Sequence, residues 1–373
     1  MRMKTFTMCL LALVAFGSLT AQELHNSYYH FTPLNINPAN AGAFAGSYRI
    51  NGIYSDKQAA ITSRPFRTFT LSADAPIIRG LRKQDWVGVG VQVDVLGQSG
   101  LNYMASTTGE FDSRGTQSWT FMKVGLAYHL SLDKKQTNIF TLGAQLSNGS
   151  RNFNMLNQRD GRINPQTGSA DLDILAFNAG PAQGGGSNNN NSNNVVFGSY
   201  RDLSVGVLYN ARRKKSDMRL GLAVEGLLNP AIGFSQRSTG NAADSTEHKY
   251  FGINVHGSYD MEVNKKLHIV PAFYYYTLGP ANALNINSHA WYQLDPEKDF
   301  RVGAGLGVRN LRAAILYLGA EYKDFRAGFA YDMDLSSAAI GSDGVGGYEL
   351  ALSYLGKIYK KPKPKAVIFC PKL

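Results

Sequence analysis

From Gly347 to Tyr354 the chain alternates without a break: Tyr348, Leu350, Leu352 and Tyr354 fall on one side, Glu349, Ala351 and Ser353 on the other. Strand side chains point to opposite faces with period two, so this stretch is apolar on one face and small or polar on the other. Aromatics stand at both ends of the apolar face, the pattern of a strand with lipid outside and water inside. The alternation recurs along most of the chain. Val87, Val89, Val91, Val93 and Val95 oppose Gly88, Gly90, Gln92 and Asp94. Phe300, Val302, Ala304, Leu306 and Val308 oppose Arg301, Gly303, Gly305, Gly307 and Arg309.

Marking strands wherever the alternation holds gives about fourteen, an even number as single-chain bacterial barrels require. They are Ser47–Ser55, Arg67–Asp74, Asp85–Leu96, Gln117–Leu132, Asn138–Arg151, Arg201–Asn210, Arg219–Leu227, Tyr250–Glu262, Leu267–Thr277, Ala283–Tyr292, Phe300–Arg309, Ala313–Tyr322, Phe325–Asp332 and Gly347–Tyr354. A soluble sandwich also alternates, so the connections have to decide. Every second one is short and basic: Lys134-Lys135, Arg212-Arg213-Lys214-Lys215, Lys265-Lys266 and Lys323-Asp324. Nearly all the long ones fall between them, around Gly97–Thr116, Asn152–Ser199, Leu228–Lys249 and Met333–Gly346. Short turns at one end and long loops at the other belong to an outer-membrane barrel. The predicted fold is therefore an all-β transmembrane antiparallel barrel with short periplasmic turns and long extracellular loops.

The start of the chain reads as a secretory leader. Arg2 and Lys4 precede an apolar run from Met8 to Phe16 and the small-residue site Ser18-Leu-Thr-Ala21, which predicts cleavage before Gln22. Cys9 then leaves with the leader, and Cys370 is the one mature cysteine. After the leader no run of about 18 apolar residues exists to form a membrane helix. The 39 glycines, 20 tyrosines and 19 phenylalanines suit strands and turns. The net charge of +11 invites a nucleic-acid reading, which export argues against. The expected organisation is a leader at 1–21, a non-strand segment at 22–46 and a barrel at 47–356, followed by a basic periplasmic tail at 357–373. Pro33 and Pro38 exclude a strand in the segment, which either plugs the barrel mouth, the preferred reading, or binds a periplasmic partner. The polar run Gly184–Asn194 is expected to be a mobile extracellular loop.

Catalytic patterns are missing. The seven histidines show no zinc spacing, there is no His-Glu-x-x-His, and no serine sits in a Gly-x-Ser-x-Gly elbow. Gly88-Val-Gly90 and Gly303-Ala-Gly305 continue a period-two strand pattern, so they read as small lumenal residues and not as a phosphate cradle. No enzyme, cofactor or metal is expected. The alternation places Asp94, Glu225, Arg301, Arg309, Glu321 and Glu349 in the lumen, with Gln92, His256 and Asp260. Such charges either line a pore or pair to fill the interior. The tail lysines Lys357, Lys360, Lys361, Lys363 and Lys365, together with Arg212, Arg213, Lys214 and Lys215, form one positive rim. That rim is either a solvated face or a docking surface for acidic periplasmic proteins or phosphate headgroups.

The segment Tyr28-Tyr-His-Phe-Thr-Pro-Leu-Asn-Ile-Asn-Pro-Ala-Asn-Ala-Gly42 resembles the opening signature of the PorP/SprF family of outer-membrane proteins associated with type IX secretion. Pro65-Phe66 with Thr68 and Leu71-Ser-Ala-Asp74 resemble the family's second strand, and Tyr128-His-Leu130 its fourth. Asp202-Leu-Ser with Gly206, Tyr331-Asp with Ser336, Glu349–Tyr354 and Phe369-Cys-Pro-Lys372 resemble later blocks. Ser55-Asp-Lys-Gln58 stands where the family often has Arg-Asp-Gln-Trp. The resemblance implies a role in protein export and surface attachment. Its partners would be type IX secretion components or a cognate adhesin, gliding adhesins included, with a carboxy-terminal sorting domain. A diffusive channel or small-solute transporter of the same fold is the alternative.

Overall fold

The structure is a computed structural model that describes residues 26–57, 66–80, 84–99, 103–104, 111–112, 115–155, 194–230, 248–279, 281–335 and 344–358. The leader, the run Gly184–Gly186 and most of the tail, Cys370 included, lie outside these residues. Fourteen antiparallel strands close into a barrel: β1 (Tyr48–Lys57), β2 (Phe66–Arg79), β3 (Trp86–Ser99), β6 (Gly115–Ser131), β7 (Asn138–Met155), β8 (Asn194–Arg212), β9 (Ser216–Glu225), β10 (Gly252–Asn264), β11 (Leu267–Leu278), β12 (Ala281–Asp295), β13 (Phe300–Arg309), β14 (Ala313–Tyr322), β15 (Phe325–Asp334) and β16 (Val345–Gly356). Each strand pairs with its sequence neighbours in the wall, and β16 closes on β1 with Tyr54 opposite Leu350 and Ile50 opposite Tyr354. Closure leaves no open edge whose N–H and C=O groups would lie unpaired in hydrocarbon.

The structure differs from the sequence reading at the long-connection end. Between β3 and β6 lies a further small hairpin, β4 (Tyr103–Met104) with β5 (Phe111–Asp112), where only a loop was expected. The β7–β8 ladder also runs on to Met155 and Asn194, past the expected ends at Arg151 and Arg201. Backbone pairing needs no apolar face, so strands that project beyond lipid lose the alternation while keeping the ladder.

The alternation sorts side chains as lipid and water demand. Met122, Val124, Leu126, Leu146, Leu306, Leu350 and Leu352 are exposed on the outside. Their inward neighbours Gln92, Asp94, His129, Gln145, Glu321 and Glu349 are buried. Five strands (β1, β9, β13, β14 and β15) have 10 residues each, enough to span the hydrocarbon layer when tilted. Among the described residues no helix is long and apolar enough to cross a membrane; the strands do so.

Candidate functional site

The interior is occupied by the chain's own residues 26–42. This segment has no strand; it folds as a 3-10 turn (Tyr29–Phe31), a short helix α1 (Pro33–Ile36) and a second 3-10 turn (Pro38–Asn40). Proline opens both the helix and the second turn, where a missing N–H costs nothing. Asn37, fully buried, caps the second turn by accepting a hydrogen bond from the Ala39 amide (2.9 Å). Its Nδ2 donates to the Val207 carbonyl (2.9 Å) and contacts His256 Nε2 (3.3 Å). Asn40 Nδ2 donates back to the Pro33 carbonyl (2.9 Å). The Asn-Pro-Ala-Asn run thus ties its own backbone together, because an irregular segment has no ladder to satisfy its polar groups.

Both ends are anchored on carboxylates from the wall. Near the long connections, Glu349 accepts the Ser27 and Tyr28 amides, one on each oxygen, at 2.8 and 2.7 Å. Ser27 Oγ donates to Asp332 (2.7 Å) and accepts from Arg309 Nη1 (2.8 Å), while Arg309 Nη2 bonds Asp332 (2.9 Å). At the short-turn end, Asp74 accepts the Gly42 amide (2.8 Å) and a forked pair of bonds from Arg49 (2.8 and 2.9 Å). His129 Nε2 contacts the Ala41 carbonyl (2.8 Å), its Nδ1 contacts Thr141 Oγ1 (2.9 Å), and Trp86 stacks on its ring. The segment therefore runs the length of the lumen, from Ser27 near the ends of β15 and β16 to Gly42 beside the start of β3.

Glycines in the wall let the segment approach. A Cβ on Gly88 would lie 2.0 Å from the Ala41 oxygen, and one on Gly143 would lie 2.3 Å from the Ala39 nitrogen. Both distances are far inside van der Waals contact, so these inward positions accept no side chain while the segment is in place. Rings fill the opposite side. Tyr28 stacks on His289 (5.6 Å between centroids) and meets Phe31 and Tyr317 edge-on (4.7 and 5.1 Å). Tyr29 packs on Tyr274 and its hydroxyl accepts from Asn287.

The structure places the six lumenal candidates as follows. Asp94 is buried against Thr70, Gln92, Asn35 and Lys123, with Lys123 Nζ 3.0 Å away. Glu225 pairs with Lys249 (3.0 Å), which also bonds Asp202 (2.7 Å). Arg301 pairs with Glu321 (2.8 Å), which Arg326 also contacts. Arg309 and Glu349 hold Ser27, as described. Of the basic set, Arg212 pairs with Asp217 (3.3 Å) and Arg213–Lys215 form the β8–β9 turn. Lys357 pairs with Asp324 (2.8 Å) across the short-turn end. Lys360, Lys361, Lys363 and Lys365 lie outside the described residues. Asp74 and Asp332, which anchor the segment, and Asp202, which holds Lys249, were not singled out as site residues; the signals available were a charge at an inward strand position and the blocks Leu71-Ser-Ala-Asp74, Asp202-Leu-Ser and Tyr331-Asp.

Lys249 and Asp133, both in connections between strands, carry shifted protonation. Burial alone would lower the Lys249 ammonium, but Glu225 and Asp202 outweigh it and hold the pKa above its ordinary value. Asp133, in the β6–β7 turn, is held down at about 2, first by the Thr137 hydroxyl and then by the Thr137 and Asn138 amides. No group of three or more His, Cys, Asp or Glu suited to a metal exists among the described residues.

Solved structures that share the fold at low identity include two barrels. The deltaS2S3 mutant of the monoaromatic hydrocarbon channel TodX is 13% identical, with 87% of this chain and 94% of that chain covered at a TM-score of 0.52. The toluene transporter TbuX of Ralstonia pickettii is 12% identical, with 87% and 93% covered at 0.50. None of the curated proteins compared with it matches the chain. Residues 18–354 match the family described as type IX secretion system membrane protein PorP/SprF. An outer-membrane location follows from the barrel and this match, and since the match spans nearly the whole sequence, the chain belongs to the PorP/SprF family.

Proposed function

We propose that this protein is a non-enzymatic outer-membrane barrel that anchors or displays a partner in type IX secretion. The partner is a secreted adhesin with a carboxy-terminal sorting domain, or a component of the secretion apparatus. The family match over residues 18–354 carries the reading. The filled lumen supports it: with residues 26–42 plugging the interior, the surfaces left for work are the long connections outside and the basic turns and tail beneath. In this reading Arg212, Arg213, Lys214, Lys215, Lys357 and the tail lysines face the periplasm and attract acidic partners.

Photocrosslinking from the β7–β8 and β9–β10 connections and from the tail, followed by purification, tests this. Recovery of a sorting-domain protein or a secretion component is expected; recovery of neither overturns the proposal. A second reading, a small-solute channel, is favoured by the fold shared with proteins titled as a hydrocarbon channel and a toluene transporter. Planar-bilayer recording separates the two, since steady open-channel current from the intact protein supports conduction.

A further inference from the structure

Above the folded segment lies a cavity of about 340 Å³. Its floor includes Tyr29, Leu34 and Ile36, and its walls rise along β2, β3 and β6–β12 to Tyr200, Tyr250 and Leu278 near the long connections. A pocket of this size suits a small molecule.

Three observations define what it would take. First, the lining is largely apolar and ringed by aromatics: Trp119, Phe121, Tyr274 and Tyr276 join Tyr29 and Tyr250. Rings in such a wall favour a flat apolar body, which they meet by offset stacking or edge contacts. Second, the charges that reach the cavity already answer one another. Lys123 sits 3.0 Å from Asp94, and Lys249 sits 3.0 Å from Glu225 and 2.7 Å from Asp202. An ionic ligand would lose its own hydration and find each countercharge engaged, which disfavours it strongly in a low-dielectric site. Third, Gln145 lines the cavity, is 5% exposed, and its Oε1 is buried without a hydrogen-bond partner. A buried amide left unmatched is costly, and its terminal torsion is soft enough to turn either end toward a guest.

We propose that this cavity is a binding site for an uncharged aromatic small molecule bearing one hydrogen-bonding group, held by the aromatic wall and by Gln145. The site is independent of the secretion role. Tyr200, Tyr250 and Leu278 in its lining place it toward the long-connection end, with Tyr29, Leu34 and Ile36 of the segment on its other side.

Indole serves as the probe: a flat neutral ring with a single N–H. Titration calorimetry of the full-length barrel in detergent, with indole-3-acetate and tryptamine as charged analogues of the same ring, reads the affinity. Saturable one-to-one binding of indole is expected, with both charged analogues at least roughly tenfold weaker. Gln145→Leu should weaken indole roughly three- to tenfold. Ser204→Trp, which fills the cavity from the wall, should abolish saturable binding, with folding checked by the faster gel migration of the unheated barrel. Heats that never saturate and persist in S204W would mean partition into the detergent belt and overturn the site. Charged analogues binding as tightly as indole, or affinity unchanged in Q145L, also overturn it.

Discussion

Glu349 shows how much one inward residue can hold. The sequence placed it on the water-facing side of β16; in the fold it is 1% exposed and grips two backbone amides from residues more than 300 positions away. An amide there offers one acceptor and a donor to two N–H groups. Glu349→Gln should therefore loosen the amino-terminal anchor by about 1–3 kcal/mol, read as faster hydrogen exchange at Ser27 and Tyr28 with the barrel still folded. Gly143 acts by absence: in Gly143→Val, the new side chain occupies the space of the Ala39 backbone. That variant should fold its wall yet lose the segment's protection from protease. Lys249 has a pH signature. Its folded pKa is raised, so its contribution is fully present below the ordinary lysine value of about 10.5 and is lost as pH rises through the folded value. Lys249→Met, which leaves buried Asp202 without its cation, should cost on the order of 3 kcal/mol at neutral pH. In urea unfolding from vesicles, the gap between wild type and variant should close only in strong alkali.

At the scale of elements, the strands were legible because lipid and water impose opposite chemistry on successive residues. Val87 to Val95 and Phe300 to Val308 could be assigned a face before any contact was known. The turns were legible from length and charge. What organises a turn internally was not: Asp133 accepts from Thr137 and Asn138 and so ties the β6–β7 turn into a closed loop. Its folded pKa of about 2 lies below the unfolded value, so its contribution is present above about 4 and is lost as pH falls through 2. Asp133→Asn should speed amide exchange at Thr137 and Asn138 at neutral pH, and the two proteins should converge in strong acid. The β4–β5 hairpin and the projecting part of β7–β8 escaped the sequence reading because outside the bilayer a ladder can form without an apolar face.

At the scale of the molecule, the barrel and the segment inside it form one hydrogen-bonded unit. Charges that could have lined a pore are matched: Arg49 with Asp74, Lys123 with Asp94, Arg301 with Glu321, Arg309 with Asp332. An intact lumen of this kind should pass little current. Deleting residues 26–42 while keeping the barrel strands should raise single-channel conductance sharply, provided the deleted protein still shows heat-modifiable migration. Equal conductance in both proteins would mean that ions bypass the segment.

The sequence by itself determined the barrel, its approximate strands and which face of those strands meets lipid, because these follow from a period-two pattern and from connection lengths, both local. It also marked Tyr28–Gly42 as non-strand, through Pro33 and Pro38. Only the tertiary structure decided where that segment lies and what holds it. The Glu349 grip on Ser27, the Asp74 grip on Gly42 and the room that Gly88 and Gly143 leave for Ala39 and Ala41 all join residues far apart in the chain. Such partners meet only once the sheet has closed on itself, and no local periodicity encodes the register of that closure against a segment without a period of its own.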